Sequence, residues 1–507
     1  MALNSVERRL AYLCGEWVRF RENKTARLLI WQVPENAFRL MEAFVEAQKS
    51  ESDYTSGDLF ILFKTPYEHS LQYSRALKEA LRAQYDASRE GLMAEGLPVD
   101  WNFDPAASPG TTAAFVAALR SFGSKYHRSI GHLVSVLMPI AISDETAFAD
   151  WVLRALALDL PERMRILLIE SLEHPRFQRL LDADHPRIVL SRPQVDGLTV
   201  AQETFAQESI QGPAGVFRNQ LIGLMALTEK GTADQVKAKA KDALAYVRRQ
   251  QWLDQEVVVR MLVAGALLKE NRHDEAAQVY CGARQVAQRV AEQNHPAGNK
   301  LVLQTWFGEA GAHLAKGDAE TAGHCYDQAA VLAQRDRNVI LGIEAFRMGA
   351  YCRARTGDID GALERGRCAY ALGEQLKPEV RGMTTLPLTG IDLLRALDPE
   401  RVGHMERVKA ELQVRSSLAR KALEERAQTV GETTTAEAES AIEQAYLTAI
   451  DDIKAESEAR LDRLVAGADE TFRSLFARSR ELLGNDWPLF SELGLMAPAA
   501  EQQVKAA

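Results

Sequence analysis

Up to about Pro193 the chain alternates short, continuously apolar runs with stretches whose apolar residues recur every three or four positions. The runs are "RLLIWQV" (Arg27 to Val33), "DLFILFK" (Asp58 to Lys64), "HLVSVLMPIAI" (His132 to Ile142), "MRILLIES" (Met164 to Ser171) and "RIVLSRP" (Arg187 to Pro193). Such runs suit strands buried on both faces. The amphipathic stretches between them, among them "ENAFRLMEAFVEAQK" and "DETAFADWVLRALAL", predict a mostly parallel sheet covered by helices, an α/β domain over residues 1–200.

The strand signals stop near Gly215, after the Pro, Gly and polar residues of "LSRPQVDGLTVAQETFAQESIQGPAG", which read as a junction. Ala-rich helical pairs follow, each with a turn of the kind "KGT", "ENRHDE", "KGDAET" or "TGDIDG". The residue five places after each turn Gly or Asn is Val236, Ala276, Ala322 and Ala362, at separations of 40, 46 and 40 residues. Near-regular spacing predicts an all-α helical-hairpin solenoid over residues 215–398.

Two segments, "WFGEAGAHLAKGDAETAGHCYDQAA" and "FRMGAYCRARTGDIDGALERGRCAYA", resemble tetratricopeptide repeats. On that pattern Trp306 and Phe346 take the first-helix aromatic position, Ala310 and Ala350 the helix crossing, Gly317 and Gly357 the turn, and Ala322 and Ala362 the small residue of the second helix. Tyr280 and Tyr326 match the later aromatic, with Ala283, Ala329 and Ala369 one turn on. Gly366 departs from the pattern where the last unit should carry an aromatic, and the units exceed the usual ~34 residues. The resemblance implies a groove for a client protein or peptide, lined by first-helix positions that fall here on Arg218, Met225, Gln304, Phe307, Glu344, Arg347, Tyr351 and Arg355. Aromatic and Arg side chains on one surface have the composition of a binding hot spot.

Beyond Pro399 the chain is charged and Ala-rich. Apolar residues at Ile442, Tyr446, Ile450, Ile453, Leu461, Leu464, Ala468, Phe472 and Leu475 trace the seam of one long helix, capped by a box in "TTAE" (Thr434 to Glu437). A preceding helix from Arg401 to Gln428 completes a C-terminal helical hairpin over residues 400–484, which offers a surface for homo-oligomerisation. Residues 485–507 read as a tail.

Composition narrows the function. The net charge of −9 over 507 residues argues against nucleic acid as a partner. Five cysteines without CxxC spacing fit free thiols, and neither the N-terminus nor the apolar run "LVSVLMPIAI" suits a signal peptide or a membrane span. These features predict a cytoplasmic protein.

The strand-turn-helix "TARLLIWQVPENAFRLMEAF" is where a phosphate loop would stand, but "QVPENAFRL" has no glycine and no Lys. Pro34 lacks an amide and Glu35 sets a negative charge at the helix start. The N-terminal half is similar in pattern to the P-loop domain of signal-transduction NTPases that carry helical repeats. That likeness implies a degenerate nucleotide domain, with acidic strand ends at Ser143-Asp144-Glu145 and Glu170. No metal-ligand spacing and no GxSxG occurs. His324-Cys325 and Cys14 read as packing, and "SPGTT" before the helix at Ala113 as a cap. The expectation is a protein without enzymatic activity or cofactor: a chaperone-like adaptor or scaffold. Loading an effector onto a bacterial secretion assembly is one setting for such three-part proteins, and a nucleotide-regulated switch is the rival.

Overall fold

The structure, a computed structural model, describes residues 4–50, 52, 54–197, 212–430, 435–485 and 487–489. Its first compact unit gathers Met1–Glu208 with Gln413–Ala455, and its second Ser209–Leu412 with Glu456–Ala507.

Four of the first unit's strands are β1 (Leu28–Val33), β2 (Leu59–Phe63), β3 (Leu133–Leu137) and β4 (Met164–Ser171), and β5 (Ile188–Ser191) is the fifth. They form one all-parallel sheet in the order β2-β3-β4-β1-β5. All five fall within the apolar runs; β3 stops at Leu137, ahead of Pro139. Alternate side chains feed two cores. One face carries Leu28, Ile30, Ile166 and Leu168 against α3 (Ser70–Ala94), α4 (Thr112–Lys125) and α5 (Glu145–Ala157). The other carries Leu29, Trp31, Leu167 and Ile169 against α1 (Ser5–Arg21) and α2 (Phe38–Ala47). A short α6 (Gln178–Asp182) leads into β5.

Buried polar groups in this unit have partners that fix connections. Asp58 accepts from Trp17 Nε1 at 2.7 Å, Arg21 Nη1 at 3.0 Å and the His132 backbone N–H at 2.7 Å. Burial pushes its carboxyl up, but the His132 ring, whose Nδ1 is 3.0 Å from Oδ1, the bonds from Trp17 and the His132 backbone, and the Arg21 charge outweigh it and hold the group at about 2. Lys78 Nζ donates to the carbonyls of Pro105, Ser108 and Pro109, closing the loop before α4.

The second unit stacks helical hairpins: α7 (Pro213–Lys230) with α8 (Ala233–Arg249), α9 (Leu253–Lys269) with α10 (His273–Glu292), α11 (Gly298–Lys316) with α12 (Ala319–Arg335), and α13 (Val339–Arg355) with α14 (Ile359–Gly373). Val236, Ala276, Ala310, Ala322 and Ala362 are fully buried and Ala350 nearly so, because two helices meet closely only where side chains are small. Gly317 and Gly357 hold φ of +92° and +83°, a conformation that favours glycine at a helix end. After a single turn, α15 (Pro378–Arg381), comes α16 (Leu386–Leu397).

The C-terminal region carries the expected pair of long helices, α17 (Pro399–Val430) and α18 (Ala436–Ala466), and its described residues add a further helix, α19 (Glu470–Leu483); the unit boundaries cut both α17 and α18. The single long seam is interrupted because Asp469 accepts from the Phe472 N–H and starts a new helix. Ala468, Phe472 and Leu475 therefore lie beyond α18. The cap of α18 is Thr435, whose hydroxyl accepts from the Ala438 N–H; Thr434 lies outside the described residues. α19 belongs to the repeat core: Leu482 packs with Tyr370 and Leu386, and the Tyr370 and Ser479 hydroxyls are 2.6 Å apart. Trp487, assigned to the tail by sequence, is buried and donates to the Pro387 carbonyl.

Candidate client-binding face

The turn after β1 is filled by the chain itself. Ser171 Oγ donates to Glu35 Oε1 at 3.0 Å, and the Glu35 N–H donates to Glu173 Oε2 at 3.0 Å. Asn36 bonds Asp196 and the Gly197 N–H, and a Cβ on Gly197 would come within 2.1 Å of the Asn36 carbonyl oxygen. Carboxylates and a close backbone crossing occupy the end of β1, where a parallel sheet ordinarily receives a ligand. The acidic strand ends are spent on the backbone too. Glu170 accepts from the N–H groups of Arg176 and Phe177, both at 2.6 Å, and Asp144 caps α5 through the Ala147 N–H.

Other sequence candidates resolve into packing. Cys14 and Cys325 are buried while His324 points to solvent, and all five cysteines are free. Burial pushes the Cys325 thiol up to about 12, away from nucleophilic use. Thr111 of "SPGTT" caps α4 by accepting from the Ala114 N–H. Among the described residues no group of three or more His, Cys, Asp or Glu could hold a metal, and no helix is long and apolar enough to cross a membrane.

In the hairpin array small residues leave room for charge, and the junctions between helices carry carboxylates held by arginines. Glu256 of α9 accepts from Arg248 and Arg260, Glu309 of α11 from Arg284, and Asp327 of α12 from Arg353 and Arg365. The Arg284 guanidinium also lies 3.8 Å from the centre of the Trp306 ring. Such pairs add little net stability, because desolvation offsets much of the attraction.

Arg347 belongs to this set. Its guanidinium makes a bidentate pair with Glu344, both bonds 2.8 Å, and reaches Asp392 of α16 at 3.1 Å. Burial pushes the Asp392 carboxyl up despite that arginine, so the pair sits in a shielded position. Arg347 and Glu344 thus join two elements, a role hidden in sequence because Asp392 is 45 residues away.

One turn further along α13, Tyr351 is half-buried and Arg355 exposed. Arg355 Nη1 donates to the Tyr351 hydroxyl at 3.3 Å, and its guanidinium lies 5.8 Å from the ring centre. On α11, Phe307 is half-buried with its ring 5.8 Å from that of Tyr326, and Gln304 is exposed. Met225 is 50% exposed and Arg218 half-buried, both on α7, three hairpins before α13.

No family model matches the chain. No curated protein matches it either. Among solved structures the chain is similar to the crystal structure of Rap protein complexed with competence and sporulation factor, at 12% identity over 98% of this chain and 99% of that chain. The TM-score is 0.28, too slight a likeness to carry an argument.

Proposed function

We propose that the chain is a protein-interaction scaffold that grips a segment of a client protein on the first-helix face of its hairpin array. The observation that carries this reading is the contrast between neighbours on α13. Ala350 is packed in the helix crossing and Arg347 is tied to Glu344 and Asp392, while Tyr351 and Arg355 are hydrogen-bonded to each other and reach solvent. A rigid element presenting a Tyr and an Arg has what a hot spot needs, large contact area at low ordering cost. Phe307 and Gln304 extend the face on α11; Arg218 and Met225 of α7 would meet a more distant part of a long client.

In this reading the α/β domain is a body without a phosphate loop, and the filled turn at Glu35 weighs against a nucleotide-driven switch. The adaptor role, including the loading of an effector onto a secretion assembly, is tested by affinity capture from the native host with the wild-type chain and Tyr351→Ala side by side. A client enriched by the first and lost from the second supports the face; identical captures count against it.

A further inference from the structure

The first unit contains a contact that no sequence pattern announced. Its segment Gln413–Ala455 brings the distal parts of α17 and α18 onto the starts of α3 and α4. Glu424 accepts from the Tyr67 hydroxyl at 2.9 Å and from the Ser70 backbone N–H at 2.7 Å, at the first turn of α3. Glu439 accepts from the Gly110 N–H at 2.6 Å, just ahead of α4. Carboxylates at helix N-termini are favourable partners for the macrodipole. Glu424 Oε2 lies 3.8 Å from Arg154 Nη2 of α5 without a hydrogen bond, and Glu439 Oε1 is buried without one.

His69 lies at the centre of this contact. It is the N-cap of α3, where its Nδ1 accepts from the Gln72 N–H at 3.2 Å, a role that requires an unprotonated nitrogen. The residue is buried, and its ring stands edge-on to Tyr446 of α18 at 5.6 Å. Around it stand Arg75 from α3, Arg420 and Glu424 from α17, and Glu443 from α18. Glu443 Oε1 is 3.8 Å from Nε2 and already paired with Arg75 at 2.5 Å, so it has little left for an imidazolium. A proton on His69 would remove the cap and set a positive charge at a helix N-terminus beside two arginines.

We propose that the parts of α17 and α18 that carry Glu424 and Glu439 are a proton-released latch on the α/β body, docked while His69 is neutral and let go when that imidazole takes a proton. Release uncovers the amides of Ser70 and Gly110 and opens a cavity of about 250 Å³ that Ala427 and Gln428 of the latch close against Thr112 and Arg154. Burial first, then Arg75 and Arg420, hold docked His69 down at about 4, against an ordinary value near 6.5. The sign follows: a base whose value is lowered by docking leaves the latch at full strength above about 6.5 and weakens it as pH falls toward 4. Glu439 opposes this. Burial raises its carboxyl while Gly110, Lys78 and Arg75 lower it and Glu443 raises it further; the net shift is upward, so its protonation favours docking.

Hydrogen exchange of the full chain, read by mass spectrometry near pH 7.5 and about pH 5 after correction for intrinsic rates, tests the latch. In the wild type, peptides covering Tyr67–Arg75 and Glu439–Tyr446 should lose protection at the lower pH, by up to about 30-fold, the ratio for values of 6.5 and about 4, since Arg75 of α3 stays beside His69 on release. The strands Leu28–Val33 and Met164–Ser171 should not change. His69→Asn keeps a good N-cap without a titrating group and should abolish the pH effect. Glu424→Ala should open the same peptides at both pH values. The proposal fails if the wild type shows no loss, if His69→Asn loses protection as the wild type does, if the strands open in step, or if Glu424→Ala exchanges like the wild type.

Discussion

Gly366 lies against Leu393: a Cβ added to the glycine would stand 2.2 Å from Leu393 Cδ1 and 3.2 Å from Cγ. The last repeat lacks its aromatic because Leu393 of α16 already fills that space from the following element. Gly366→Phe, which restores the repeat pattern, should therefore destabilise, by about 1–3 kcal/mol or more from overpacking. Leu393→Ala combined with Gly366→Phe should recover part of the loss in thermal denaturation. An unchanged melting temperature for Gly366→Phe alone would place Leu393 elsewhere.

Truncation gives a second test. α19 contributes Phe472, Phe476 and Leu482 to the buried set, and Ser479 meets Tyr370. A chain ending at Ala466 should melt well below the full chain, since leaving out these side chains exposes several kcal/mol of apolar contact at about 1.5–3 kcal/mol per large residue. Equal melting of the two chains would show that α19 is an appendage.

Asp58 predicts an acid response. Its side chain is fully buried and its carboxyl is held at about 2, below the ordinary ~3.8, so the folded state favours the ionised form. The stability this contributes, about 2 kcal/mol, is present above the unfolded value near 4 and is lost as pH falls toward 2. Denaturation of wild type and Asp58→Asn should differ at neutral pH and converge in acid. A constant difference across that range would assign the effect to packing alone.

Much of the fold was legible in the sequence because burial leaves periodic signatures. Continuous runs such as "MRILLIES" mark a strand covered on both faces, and Val236, Ala276, Ala322 and Ala362 mark helix crossings that admit no large side chain. Contacts between single charged groups leave no such signature. Glu424 meets Ser70 across 354 residues and Glu439 meets Gly110 across 329, and each reads in sequence as one more solvated carboxylate on a charged helix. Arg347 was legible as a first-helix arginine but not as one tied to Asp392. The end of α18 was missed because Asp469 starts a new helix without disturbing the three- and four-residue steps of the apolar seam.

The proposed client face requires Tyr351 and Ala350 to have opposite roles on adjacent positions of α13. The most direct measurement takes client capture and thermal melting together for wild type, Tyr351→Ala and Ala350→Leu. Tyr351→Ala should melt like the wild type but lose client affinity about 30-fold, the equivalent of ~2 kcal/mol for a hot-spot tyrosine. Ala350→Leu should lower the melting temperature through about 1–3 kcal/mol of overpacking, and below that temperature retain the client. Full client capture by a well-folded Tyr351→Ala protein would contradict the assignment of this face as the binding surface.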